Sequence, residues 1–165
     1  MRGRRAMGLL PLAGALTLAA VACASGSAAE SRENLTRVRI TIGKTILTAQ
    51  LRDNPTARSL IAQLPLRLSF RDFHGQEKVA DFPRPLSMRG MPKSADPRPG
   101  EIGYYAPTQA LVFYTTDVGR FDGIARIGRF DGSLAAIRNR KSDFIARIEL
   151  ARRPMRNDDL EGVRA

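Results

Sequence analysis

The chain has 165 residues, with 27 basic and 16 acidic side chains and a net charge of +11. This length suits a single domain. The only cysteine, Cys23, excludes an intramolecular disulfide and a metal site built from several thiolates. The only histidine, His74, argues against a zinc site or a Ser-His-Asp triad. Because no phosphate-binding loop or dinucleotide fingerprint occurs either, we expect no cofactor and no metal.

Residues 1–24 have the composition of a secretory signal peptide. A basic head of three arginines precedes an uncharged apolar run over residues 7–21, and the small residues "ACASGSAAE" follow. The apolar run is short for a membrane span. The sequence therefore predicts export, to the periplasm or the cell envelope.

The stretch "AVAC" resembles a bacterial lipobox, in which the cysteine receives lipid and becomes the new N-terminus. Ala20 occupies the position where that motif usually has leucine. Cleavage after Ala22 would leave a lipidated Cys23 and a membrane anchor, whereas cleavage after Ala24 or Ala29 would release the chain. All three sites stay open.

Outside the leader the chain has 24 basic and 16 acidic residues, a net charge of about +8. This balance favours an anionic partner. Since export removes nucleic acid as a target, lipid head groups or acidic wall polymers remain. The arginines are also interleaved with apolar and acidic residues, as on an ordinary solvated surface; examples are Arg120, Arg126, Arg129, Arg138, Arg140 and Arg147.

Residues 25–35 are small and polar, which predicts a flexible linker before a domain at 36–151. Polar and apolar residues alternate from Arg37 to Leu51 around Gly43-Lys44, which indicates a β-hairpin. Asn54 as cap, Pro55 as first helical residue and Pro65 as terminator predict a short helix. "LRLSF" and "EKVADF" then predict two strands joined by a turn at "HG".

The segment Pro83 to Gly100 is rich in proline and glycine, so we expect no regular structure in it. "EIGYY" and "ALVFY" predict two further strands, "GIARIG" another, "SLAAIRN" a short helix and "SDFIARIEL" a closing strand. Residues 152–165 form a charged tail. Seven or eight short strands without βαβ alternation predict a mostly β fold, a closed antiparallel barrel with two short helices.

The pentapeptide "GRFDG" occurs twice, nine residues apart, which is the period of calcium-binding β-rolls. Two copies are too few to bury the core of a roll. Each "DG" is better interpreted as a turn, one before and one after a strand from Ile124 to Arg129, with Asp131 as the cap of the next helix.

Aromatic residues cluster on the two predicted strands around "APTQ". Alternation sends Tyr104 and Tyr105 to opposite faces. Tyr104, Tyr105, Phe113 and Tyr114 therefore either fill the barrel or line a cleft.

Three stretches, "LTAQLRDNPTARSLIAQLPLRLSFRDFHGQEKVADFPRPLS", "PGEIGYYAPTQALVFY" and "IGRFDGSLAAI", resemble bacterial cyclophilin-like fold proteins. The resemblance extends from Val38 to Leu150 and implies an eight-stranded barrel closed by two helices. In the related peptidyl-prolyl isomerases an arginine directly follows a Phe-His pair, and a Gln-Gly-Gly segment completes the pocket. Here Gly75 follows Phe73-His74 and the Gln-Gly-Gly segment is absent.

The segment "ALVFYTT" resembles the isomerase segment that carries a pocket phenylalanine. The resemblance therefore suggests Phe113 as a ligand contact, with Gln109, Tyr105 and Tyr104 beside it. Arg71 or Arg84 is a candidate catalytic guanidinium, because amide isomerisation requires a donor near the prolyl nitrogen.

Three functions remain. The first is an exported domain that binds a small molecule or peptide in an aromatic cleft, without strong isomerase activity. The second is a peptidyl-prolyl isomerase with a rearranged site. The third is an electrostatic adaptor on anionic envelope surfaces.

Overall fold

A computed structural model describes residues 34–151. The elements are β1 Thr36–Ile42, β2 Thr45–Leu51, α1 Pro55–Ile61, β3 Leu66–Phe73, β4 Glu77–Asp81, β5 Ser94–Ala95, β6 Glu101–Tyr105, a 3₁₀ turn Ala106–Thr108, β7 Ala110–Tyr114, β8 Phe121–Asp122, β9 Ile124–Phe130, α2 Ala135–Arg138 and β10 Phe144–Leu150. Eight antiparallel strands close a barrel in the order β1-β10-β3-β4-β7-β6-β9-β2, and β5 pairs with β8 in a separate two-stranded sheet. The predicted fold class is confirmed.

The structure confirms the hairpin predicted from the alternation of polar and apolar residues. In β1 the side chains of Val38, Ile40 and Ile42 are buried, and β2 pairs with β1 along its whole length, from Thr36 opposite Leu51 to Ile42 opposite Thr45. β1 also pairs with the closing strand β10, with Val38 opposite Leu150. Beyond that pair, the backbone N–H of Ala151 donates to the carbonyl of Arg37 at 3.0 Å. The pairing of β1 with β10, the first and last strands in sequence, closes the barrel.

Helix α1 begins where the sequence predicts and ends at Ile61, before the predicted terminator Pro65. The Asn54 side chain accepts from the backbone N–H of Ala57 at 2.9 Å, and Pro55 is the first helical residue. The same side chain donates through Nδ2 to the carbonyl of Arg126 on β9 at 3.0 Å. Asn54 thus caps the helix and fixes its start against the barrel wall.

Aromatic rings fill the barrel interior. Phe113 stacks on Phe70 with ring centroids 4.2 Å apart and meets Phe130 edge-on at 5.0 Å. Phe144 also stacks on Phe70, with ring centroids 5.5 Å apart. These contacts join β3, β7, β9 and β10 through the centre of the barrel.

The second half of the domain departs from the predictions at two places. Asp131 does not cap α2; it accepts from Gln50 Nε2 at 2.5 Å, and Ser133 Oγ accepts from the N–H of Ala135 instead. The proline-rich segment is not wholly irregular, because Ser94–Ala95 pairs with Phe121–Asp122. In both places the observed structure depends on a partner that is remote in sequence: Gln50 for Asp131, and Phe121–Asp122 for the proline-rich segment.

The outer face of the barrel has a second, smaller apolar cluster. Its buried members are Val79, Ala110, Val112, Tyr114 and Ile124, and Ala95, Tyr105 and Val118 pack against them. Ala95 belongs to the proline-rich segment. This segment therefore covers one side of the barrel.

Candidate functional site

The predicted aromatic ligand contacts do not share one surface. Phe113 and Tyr104 are each 1 % exposed and belong to the barrel core, where the Tyr104 hydroxyl accepts from the N–H of Leu86 at 3.2 Å. Tyr105 packs against the outer cluster, and Gln109 is exposed with φ 53°. The structure therefore separates the four residues between the interior and the exterior.

The two candidate catalytic arginines lie on different elements. Arg71 is on the outer face of β3, where its guanidinium contacts Asp81 at 3.2 Å. Arg84 is in the proline-rich segment and donates through Nε to Gln63 Oε1 at 3.1 Å. A role for either in catalysis stays a prediction.

An open cleft of about 700 Å³ lies elsewhere on the domain. Its walls come from the residues that lead into α1 (52–55), the proline-rich segment (90–98), Arg120, and the first half of β9 (124–126). A volume of this size lies in the range of small-molecule sites. We call it the arginine cleft, because Arg52, Arg98, Arg120 and Arg126 line it.

A nearly buried carboxylate organises two of these arginines. Glu101, with 7 % of its side chain exposed, accepts from Arg126 Nε at 2.7 Å and Nη2 at 2.5 Å, and from Arg52 Nη2 at 3.1 Å. Oε2, which accepts from Arg126 Nε, also accepts from the backbone N–H of Arg98 at 2.9 Å. Four donors from three segments therefore converge on one carboxylate and hold the cleft walls together.

The ionisation of this group follows from its contacts. Burial by itself would raise the pKa of Glu101, but the hydrogen bonds from Arg126, Arg98 and Arg52 outweigh burial and hold that pKa below its ordinary value. The hydrogen bonds to Glu101 in turn raise the pKa of Arg126. Both groups are therefore charged at neutral pH.

The rim of the cleft is less neutralised than its base. Arg98 contacts Asp96 at 3.0 Å and Asp117 at 3.2 Å, yet 63 % of its side chain is exposed. Arg120 contacts Ser94 Oγ at 3.5 Å and makes no ion pair with a carboxylate among residues 34–151. The guanidinium of Arg120 is therefore available to an anionic group in the cleft.

The lining between these arginines is mixed. Its apolar part consists of Pro55 on one wall, Met91, Pro92 and Ala95 on another, and Ile124 on β9, and its polar part includes Asp53, Asn54, Ser94 and Asp96. Apolar side chains beside exposed guanidinium groups suit a molecule that has both an apolar body and an acidic group.

A tight turn positions the β9 wall. Gly123, with φ 81°, precedes β9, and its N–H donates to the carbonyl of Lys93 at 2.7 Å. A Cβ at this position would lie 2.7 Å from Cδ of Pro107. Only glycine fits both the backbone angle and the space.

Sequence reasoning missed the cleft because its residues come from four separate segments. One signal was present: Glu101 is a lone acid at the start of the apolar strand "EIGYY". A buried acid requires cationic partners. The arginines of "RFDGIAR", Arg120 and Arg126, are interleaved with apolar residues, a pattern that by itself favours a solvated surface.

His74 lies in the predicted turn, with φ 52°. Within residues 34–151 no group of three or more histidine, cysteine, aspartate or glutamate side chains could hold a metal ion. In that same range no helix has the length and apolar character needed to cross a membrane. The predicted leader, Cys23 and the charged tail lie outside the described residues.

Comparisons with known proteins agree with this architecture. The sequence model of the Cyclophilin-like family matches residues 40–149. The solution structure of a hypothetical protein from Archaeoglobus fulgidus is similar, with a TM-score of 0.58 and 17 % identity over 74 % of this chain and 99 % of the other. At this identity the likeness concerns the fold alone. No curated protein matched the sequence.

Proposed function

The chain belongs to the Cyclophilin-like family, and from that premise we propose that it is an exported binding domain, without strong isomerase activity, that holds a small molecule or peptide in the arginine cleft. The observation that carries the proposal is the convergence of Arg52 and Arg126 on the nearly buried Glu101 beside the less neutralised Arg98 and Arg120. The binding role predicted from sequence is kept, and its place moves from the aromatic residues to this cleft.

The chemistry of the lining defines the ligand class. Arg120 and the exposed part of Arg98 offer charge-assisted donors to a carboxylate, sulfonate or phosphate. The apolar side chains of Pro55, Met91 and Pro92 offer contact area to a hydrophobic body. An amphipathic organic anion, or a peptide with an acidic residue beside an apolar one, meets both requirements.

A titration with anilinonaphthalene sulfonate, which has an apolar body and one anionic group, tests the proposal on the domain from residue 32 onward. Arg120→Ala should raise the Kd roughly tenfold, because a hydrogen bond to a charged group contributes about 1.5–3 kcal/mol. Arg84→Ala removes an equal charge outside the cleft and should leave the Kd unchanged. Hexanoate should displace the dye and hexanol should not. Equal Kd values for the two variants would contradict the proposal.

A peptidyl-prolyl isomerase is the second candidate, favoured by one contact. Arg71 lies opposite Val79, and Val79 lies opposite Val112, so a guanidinium adjoins the outer apolar cluster. Isomerisation needs such a donor beside an apolar seat for the proline ring. A protease-coupled assay on prolyl peptides tests this function: acceleration that is lost in Arg71→Ala and kept in Arg120→Ala would support it, and no acceleration would exclude it for those peptides.

Export and lipidation form a separate part of the proposal, supported by the signal-like leader and the "AVAC" stretch. Fractionation of cells that express the full chain tests both. Lipidation predicts that the protein is in the membrane fraction and that Cys23→Ser moves it to the soluble exported fraction. Unchanged fractionation of this variant would contradict lipidation, and retention of the wild-type chain in the cytoplasm would contradict export.

A further inference from the structure

The outer surface of β1, β10 and β3 forms a basic face, which meets the outer apolar cluster only at Arg71, opposite Val79. We define the basic face by the outward arginines of these strands, which are Arg37, Arg39, Arg67, Arg71 and Arg147. Each is exposed. From this face we propose that the domain lies flat against an anionic lipid surface.

Carboxylates neutralise the basic face only in part. Three carboxylates serve four of its five arginines: Asp131 lies 3.7 Å from Arg37 and Asp81 3.2 Å from Arg71. Glu149 is shared by Arg39, at 2.5 Å, and Arg147, at 3.1 Å. Arg67 makes no ion pair within residues 34–151, and it lies directly opposite Arg147 on the neighbouring strand. Like charges in directly opposed positions destabilise a sheet. An anionic surface that covers both residues would remove this repulsion.

Two exposed apolar side chains accompany the arginines. Ile145 on β10 is 52 % exposed, and Ile46 on the adjoining β2 is 61 % exposed. Ile46 lies opposite Thr41, which in turn lies opposite Arg147, so Ile46 is in the same cross-strand row as the arginine pair. Cationic groups interleaved with exposed apolar side chains are typical of surfaces that bind the interfacial region of a bilayer.

The shape of the face and the path of the chain favour a lipid surface over a compact ligand. The arginine cleft offers concavity, whereas the basic face is the outer wall of a barrel and extends across three strands. β1, where the described chain enters the barrel, is one of these strands. A domain delivered to a membrane by the segment before β1 would therefore have a strand of this face next to its tether.

Sedimentation with lipid vesicles tests the inference on the domain from residue 32 onward, whose described part has its own closed core. Wild type should bind vesicles made of equal parts phosphatidylcholine and phosphatidylglycerol, should not bind pure phosphatidylcholine, and should dissociate as salt rises. Arg67→Gln with Arg147→Gln should weaken binding on the order of tenfold or more, since each arginine near an anionic bilayer contributes roughly fivefold.

Two controls separate the basic face from net charge and general hydrophobicity. Arg84→Gln with Arg89→Gln removes the same charge from the proline-rich segment and should have a much smaller effect. Ile46→Ser should weaken binding with no change in charge, whereas Phe121→Ser, at a residue 56 % exposed elsewhere, should not. Equal losses in the two arginine pairs, or no binding of wild type to the anionic vesicles, would overturn the proposal.

Discussion

Replacement of Glu101 by glutamine tests the ion network that holds the arginine cleft. The carboxylate is 7 % exposed and accepts four hydrogen bonds, three from guanidinium groups and one from a backbone N–H. Loss of one partner of a fully buried pair costs about 3–5 kcal/mol. Because 39 % of the Arg126 side chain and 30 % of the Arg52 side chain are exposed, water recovers part of this loss. We expect Glu101→Gln to lower the free energy of unfolding by about 2–3 kcal/mol.

The effect should depend on pH in a defined direction. The pKa of Glu101 is held below its ordinary value in the folded domain, so the carboxylate contributes stability above the unfolded pKa, about 4.3 for glutamate. This contribution is lost as pH falls through the folded pKa. The difference in the free energy of unfolding between wild type and Glu101→Gln should therefore be largest at neutral pH. It should shrink as the pH falls below about 4.3.

Glu77 provides a control of opposite sign. Burial raises the pKa of Glu77, so its charged form reduces stability at neutral pH, and the stability gained by protonation is lost as pH rises through the folded pKa. Glu77→Gln should be at least as stable as wild type at neutral pH. Urea denaturation at several pH values measures both variants. A Glu101→Gln midpoint equal to that of wild type at neutral pH, or an equal loss in both variants, would refute the reasoning.

Two further predictions concern the core and a buried lysine. Phe113→Ala should lower the free energy of unfolding by about 3–5 kcal/mol, because it removes a buried ring that stacks on Phe70 and meets Phe130 edge-on; a thermal melt that matches wild type would show that the ring is not part of the core. Lys78 is fully buried, and its ammonium group contacts Asp72 and the Arg140 carbonyl. Asp72→Asn should therefore destabilise more than Lys78→Met in urea denaturation, since only the first leaves a buried charge without its carboxylate, and the reverse order would contradict this reasoning.

Local signals in the sequence account for most of the fold. Alternation predicts the β1–β2 hairpin, and Asn54-Pro55 predicts the start of α1, because both depend on residues close together in the chain. The role of Asp131 could not be predicted, since its partner Gln50 is on a strand 81 positions away. Alternation also separates Tyr104 from Tyr105 but does not say which one faces the interior; that depends on the order in which strands close the barrel.

The candidate site was less accessible to sequence reasoning for the same reason. The cleft needs α1, β9 and the proline-rich segment to meet, and only the tertiary structure brings them together. The basic face is partly readable, because Arg37 and Arg39 of "RVRI" occupy alternate positions. The direct opposition of Arg67 and Arg147 across β3 and β10 requires the register.

The closure of the barrel by β1 and β10 places the two ends of the domain together. The hydrogen bond from Ala151 to Arg37 joins the last described residue to the second residue of the first strand. A domain whose ends are adjacent can be circularly permuted or inserted into a host loop with little disturbance of its core. A short linker between residues 151 and 36, with new ends opened at the exposed Gly43-Lys44 turn, should give a permuted barrel that keeps all eight strand pairings.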